Sequence, residues 1–138
     1  MDLSYKELLT LLLCDSINPV TGVDGSGNAI RAISIVSIDG DNSSCELDNL
    51  KLSGVTTTHL KKIHLFIRLW KKTGWTLFDL DRACIAFGLD FGNNVVQNKS
   101  KLNNIAQTDV LAKQLRLPLE SILAFWRSIS TRSYIDYF

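Results

Sequence analysis

Two histidines, three cysteines and fourteen carboxylate side chains are the residues of this 138-residue chain whose chemistry could go beyond packing. His59 and His64 are five apart, so they leave different faces of a helix, and no His-Glu-x-x-His pattern surrounds them. The spacing of a zinc site is missing. His64 borders the apolar face of its helix. A packed histidine is expected there, with a proton sensor as the alternative that imidazole's titration range permits. Cys14, Cys45 and Cys84 are odd in number and contain no C-x-x-C, which excludes zinc-ribbon and thioredoxin chemistry and suggests buried reduced thiols. Asp24 to Asn28 and Asp39 to Ser43 each start like a calcium loop. Position twelve would be Ile35 or Leu50, where a bidentate glutamate is needed, and neither has glycine at position six, so both read as turns. No phosphate-cradling glycine loop, nucleophile elbow or dinucleotide fingerprint occurs. Neither catalysis nor a cofactor or metal is expected.

One acid stands apart. Asp81 shares the apolar stripe of its helix with Leu77, Leu80 and Cys84. A carboxylate on that stripe must find partners, because an unpaired buried charge is costly. Arg68, His64 or a tryptophan N–H are the candidates, and the role expected of Asp81 is a structural clasp.

These residues depend on a small set of elements. Ser4 with Glu7 three positions on is a capping box, which starts a helix over 4–13 that Asn18-Pro19 ends. The three glycines in 22–28 suggest a mobile surface loop. Residues 32–38 alternate and are β-branched, hence a strand, and Cys45 to Asp48 could pair back across the turn at 39–42 as a hairpin. From Thr56 onward the chain reads as helix over about 57–73, 77–87, 101–115 and 119–129, with 88–100 as a polar, asparagine-rich connection. Leu60, Ile63, Ile67 and Trp70 recur at the spacing of one helical face. Gly74 then sits at a C-cap after Lys71 and Lys72, and Trp70 and Trp75 flank the corner. That much aromatic surface around a turn suggests a buried elbow between two helices. The expected core is Leu8, Leu12, Ile63, Phe66, Ile67, Trp70, Trp75, Leu80, Ile105, Leu115, Ile122 and Trp126.

The length suits one domain with its own core, and no apolar run is long enough to span a bilayer. The first residues lack the basic region of a cleaved signal peptide. Net charge is +1 but uneven: residues 1–50 have eight acids and two bases, and residues 51–75 have six bases and no acid. Opposite fields of that kind screen each other within one fold; the other possibility is a basic surface for nucleic acid or anionic lipid. A weak repeat aligns Leu69–Leu80 with Leu111–Ile122, and Leu3–Leu9 matches its second half. The chain is therefore expected to be a piece of a longer helical array.

Leu60 to Trp75 followed by Leu80-Asp81 resembles the signature of the A subunit of bacterial insecticidal toxin complexes, the Tc toxins, to which the Salmonella plasmid virulence protein A is related. The signature residues are Ile63, His64, Phe66, Ile67, Arg68, Trp70, Gly74, Trp75, Leu80 and Asp81. Leu3–Leu9 with Ile17-Asn18-Pro19, and Trp126–Thr131 with Tyr134–Phe138, extend the resemblance over most of the chain. Leu65 departs from it, standing where a basic residue is expected, and residues 22–28 have no counterpart. The resemblance implies a segment of the helical shell of a homopentameric toxin-delivery subunit that forms pores and translocates cargo. It implies as partners the rest of the parent subunit, cargo-carrying B and C subunits and a host-cell surface, and a secreted or bacterial-surface location.

The alternative is a helix-turn-helix DNA-binding module centred on residues 108–127, from the spacing of Ala112, Leu115, Leu117 and Ile122. Arg116 occupies the turn position that glycine usually takes, and the second helix would open with Pro118-Leu119-Glu120-Ser121, a poor set for bases and phosphates. The fold expected is mainly α: packed helical hairpins in a single domain over 1–138, with a small β-hairpin inserted at about 30–50.

Overall fold

The computed structural model describes residues 3–38, 47–92 and 95–126. The chain is mainly helical, with five helices and two small antiparallel β-hairpins among these residues. Helix α1 (Tyr5–Leu12) starts on the capping box: the Glu7 amide donates to Ser4 Oγ and the Ser4 amide donates to Glu7 Oε2. Strands β1 (Val20–Val23) and β2 (Ala29–Arg31) form the first hairpin, and β3 (Ser34–Ser37) and β4 (Leu50–Ser53) form the second. Helices α2 (Thr57–Thr73), α3 (Leu77–Phe87), α4 (Val95–Leu115) and α5 (Leu119–Leu123) follow.

Both turns of the elbow chemistry are visible. Thr56 caps α2, with His59 in the place a glutamate would take in a capping box: the Thr56 amide donates to His59 Nδ1 and the His59 amide to Thr56 Oγ1, each at 3.3 Å. Gly74 closes α2 in the left-handed conformation, φ 70°, and its amide donates to Trp70 O. Two residues later Thr76 caps α3 by accepting from the Asp79 amide.

One cluster of buried side chains joins α1, α2, α3, the loop after α3, α4 and α5. Leu11, Cys14, Phe66, Leu80, Ala83 and Cys84 have no solvent exposure, and Ile67, Leu89, Phe91, Ile105 and Leu123 complete the buried set with Ile17 and Leu77. Phe66 meets Phe91 edge-to-face at 5.9 Å between centroids. Ile63, Trp70 and Trp75 pack on this cluster half-buried, as does Leu8. Leu115 and Trp126, expected inside, are about half exposed at 52% and 49%. Leu115 is the last residue of α4 and Trp126 lies three residues past the end of α5, beyond the helix faces that pack on the cluster. Trp126 keeps an edge-to-face contact with Phe87 instead.

Three boundaries differ from the sequence pattern. Residues 22–28, expected as a surface loop, form the exposed end of a hairpin, in which Asp24 accepts from the amides of Ser26 and Asn28 and from Asn28 Nδ2. The partner of β3 is Leu50–Ser53, not 45–48, with Ile35 opposite Leu52 and Val36 opposite Lys51. Leu47–Asn49 is a 3-10 turn, and Cys45, Glu46 and the 39–43 acidic loop lie outside the described residues. Helix α4 starts at Val95, six residues before the pattern suggests, because tertiary anchors at Asn98 and Lys101 override the weak helix preference of 95–100.

The second hairpin is seated by a close backbone approach. Gly54, directly after β4, has φ 78°, and a Cβ built on it would stand 2.1 Å from Ala32 O. Beside this contact Ile33 is buried, and the fully buried Asn18 grips it: the Ile33 amide donates to Asn18 Oδ1 at 2.8 Å, and Asn18 Nδ2 donates to Ile33 O and Leu12 O. One asparagine thus ties the end of α1 to the start of β3 and satisfies buried backbone groups that the irregular segment 13–19 leaves open.

Candidate functional site: the tryptophan elbow and the Asp81 clasp

The corner between α2 and α3 is stitched by its indoles. Trp70 Nε1 donates to Trp75 O at 2.8 Å, across the turn, and Thr73 Oγ1 donates to Trp70 O. Trp75 Nε1 donates to Asp109 Oδ1 at 3.0 Å, which fixes the elbow to the middle of α4. The rings supply apolar area and the N–H groups supply direction, so the angle of the corner is set twice.

Asp81 is buried on α3, 6% exposed, and it is a clasp with other partners than Arg68, His64 or an indole. Its Oδ1 accepts from the Ser16 amide at 2.8 Å and its Oδ2 from the Asp15 amide at 3.2 Å. These amides follow the end of α1, where the helix no longer uses them. Among the described residues Asp81 is thus held by main-chain amides, not by a cation. Asp15 in turn takes Arg31 Nη1 at 2.8 Å, and the same guanidinium nitrogen donates to Asn18 O, so the first hairpin joins the knot.

Of the signature positions, Phe66, Ile67 and Leu80 meet in the core with Ile63, Trp70 and Trp75 against them, and Gly74 makes the corner. His64 and Arg68 do not join them. His64 is exposed rather than packed, because it falls one step off the buried face that Phe66 and Ile67 define. The elements that sequence reasoning passed over are Asp15, Ser16, Asn18, Arg31 and Asp109. Only Asn18 had a signal, an asparagine just before proline; main-chain amides carry none.

The thiols are structural. Cys14 and Cys84 are buried outside any disulfide, and Cys14 Sγ donates to Thr10 O. Burial, then the nearby Asp81 and Cys14, push the Cys84 thiol far above its ordinary value, so it stays protonated and unreactive. Among the described residues no group of three His, Cys, Asp or Glu side chains is placed to hold a metal ion.

Two carboxylates outside the clasp tie their elements together with a pH signature. For Asp90, the Gly92 amide and then the Lys62 ammonium hold the carboxyl below its usual range. For Asp109, burial acts upward, but donation from Lys113 and Trp75 outweighs it and the carboxyl again lies low. A depressed folded-state value means stability that is fully present above the unfolded value, about 3.9, and is lost as pH falls through the folded one. The melting temperature is therefore expected to hold between pH 7 and 5 and to fall steadily below about pH 4, with part of the fall removed in Asp109→Asn. Thermal melts followed by tryptophan fluorescence check this; a flat profile down to pH 2.5 contradicts it.

Compared with protein-family models, with curated proteins and with solved structures, the chain matches none. The description as a toxin, virulence, shell or translocation component of an insecticidal toxin complex is corrected on that finding and is not retained. The physical reason is plain in the elbow itself: Phe66, Ile67, Trp70, Trp75 and Leu80 are what any two helices meeting at a bend need for their core, and such residues identify a corner better than a lineage. Among the described residues no helix is long and apolar enough to cross a membrane.

Proposed function

We propose that this chain is a non-catalytic scaffold module, in which helical hairpins packed through the tryptophan elbow present a fixed outer surface to other proteins. One observation carries it: among the described residues, several side chains with catalytic potential are occupied in holding main chain or sealed in the core. Asp81 takes the amides of Asp15 and Ser16, His59 caps α2, Asp24 closes the β1–β2 turn, and the thiol of Cys84 is sealed in the core. The exposed side chains of Leu9, Leu13 and Phe125 supply apolar contact area for a protein partner.

A DNA-binding helix-turn-helix is the second reading, favoured by one feature: Arg116 adopts φ 54°, the left-handed turn conformation that the motif needs between its helices. The would-be recognition helix weighs against it. Helix α5 has five residues, of which Ile122 and Leu123 are buried, and its Glu120 is paired with Arg82 at 3.0 Å. The discriminating experiment is electrophoretic mobility of mixed-sequence duplex DNA at low salt. No retardation is expected at micromolar protein. Retardation that falls steeply with added salt and is lost in Lys113→Glu/Arg116→Glu overturns the scaffold reading.

A further inference from the structure

A groove of about 310 Å³ is lined by α2, α4 and the loop after α3. Among the described residues its walls are Leu65, Leu69, Leu89, Phe91 and Leu102. Three polar side chains interrupt this surface. Arg68 and Lys72 stand one helical turn apart on α2 and line the groove from its exposed side; neither makes an ion pair among the described residues. The third is Asn98 on α4, which is 7% exposed.

Asn98 is the informative one. Its Nδ2 donates to Asp90 O at 2.8 Å, which fixes the orientation of the amide and leaves Oδ1 as the atom over; Oδ1 is buried and accepts from nothing among the described residues. A buried acceptor left unpaired costs about 1–3 kcal/mol, so its presence in a cavity wall calls for a donor from outside the chain. The surroundings are rigid enough to be a site. Lys62 Nζ meets Asp90 Oδ1 at 2.9 Å, the Gly92 amide donates to the same oxygen at 2.8 Å, Lys101 Nζ donates to Gly88 O at 2.6 Å, and Phe91 is held edge-on by Phe66.

We infer that this groove binds a small amphipathic organic anion: an apolar body against the leucines and Phe91, one N–H or O–H donor to Asn98 Oδ1, and a carboxylate or sulfonate between Arg68 and Lys72. Each part of the ligand answers one part of the wall. The volume sits at the lower end of small-molecule sites, roughly 300–1,000 Å³, which suits a two- or three-ring molecule or a short acyl chain. Apolar burial supplies the larger share of affinity, the cations fix which end faces solvent, and the amide selects a ligand with a donor over one without. This site is independent of the scaffold reading; a scaffold can carry it, and so could a DNA reader.

The test uses the full chain and 8-anilinonaphthalene-1-sulfonate, whose rings, single amine N–H and sulfonate reproduce the three elements. Two relatives each lack one: N-phenyl-1-naphthylamine has no anion, and naphthalene-1-sulfonate has no N–H. Titration followed by amide and side-chain NMR is expected to shift the Asn98 side-chain pair and the backbone signals of Leu65, Leu69, Phe91 and Leu102. Arg68→Glu/Lys72→Glu, both exposed and so compatible with the fold, is expected to weaken the sulfonate probe at least tenfold and to leave the uncharged amine within twofold. Leu102→Trp, which fills the groove, is expected to abolish both. Shifts that map elsewhere, or a charge reversal that leaves the sulfonate probe within twofold of the parent chain, overturn the assignment.

Discussion

Gly54→Ala is expected to be the most damaging small substitution in this protein, lowering stability by more than about 3 kcal/mol. Two costs add. A side chain at φ 78° pays the left-handed penalty of about 1–2 kcal/mol. The new Cβ also meets a backbone atom, Ala32 O, at 2.1 Å, and a backbone atom cannot swing aside as a lysine tip can. Relief requires the end of β4 to retreat from residues 32 and 33. That would loosen Ile33, which is 2% exposed, and the three hydrogen bonds Asn18 makes to Ile33 and Leu12. Gly25→Ala is the matched control: nothing lies within 4 Å of its Cβ position, so a change within about 0.5 kcal/mol is expected there. Urea unfolding of both variants checks the pair. Equal midpoints would show that the second hairpin is not held by this contact.

Asp81→Ala is the second large effect. It removes the acceptor of the Asp15 and Ser16 amides and leaves both facing the space of a buried carboxylate. Removing a charge-assisted acceptor from such amides costs about 2–3 kcal/mol, which for a chain of this size lowers the melting temperature by roughly 8 °C. Asp81→Asn keeps an oxygen acceptor but no charge, and is expected to fall between the two. Differential scanning calorimetry separates the three proteins. A melting curve for Asp81→Ala that overlays the parent removes the clasp.

The elbow was legible from the chain because its signals are local. Gly74 after Lys71 and Lys72, and apolar spacing on both sides, mark two helices and the corner between them. Asp81 was legible by halves. Its place on an apolar stripe announced a buried acid in need of partners, whereas the partners are amides at 15 and 16, which look alike in every residue type. The hairpins were harder. Register depends on which alternating segment wins, and Leu50–Ser53 competes with 45–48 on equal terms until Gly54 is pressed against Ala32. Helix α4 misled for a third reason. Asn98 argues for a polar connection that runs to residue 100, yet its side chain is anchored to Asp90 O and Lys101 donates to Gly88 O, so the first turns of the helix are held by their neighbours. Leu115 and Trp126 were placed inside on periodicity alone, which finds the face of a helix but not where the covering layer stops.

The clasp also sets an order of events during synthesis. The amides of Asp15 and Ser16 leave the ribosome 65 or 66 residues before the carboxylate that receives them. At about 5–20 residues per second, the first helix waits several seconds with its apolar side uncovered. An eight-residue helix is marginal on its own in water even with a capping box, and α3 is not there to pack against it in that interval. Helix α1 is therefore made well before α3 and is locked in place only when α3 emerges, and the nascent chain is most open to capture by chaperones or to misassociation in that window.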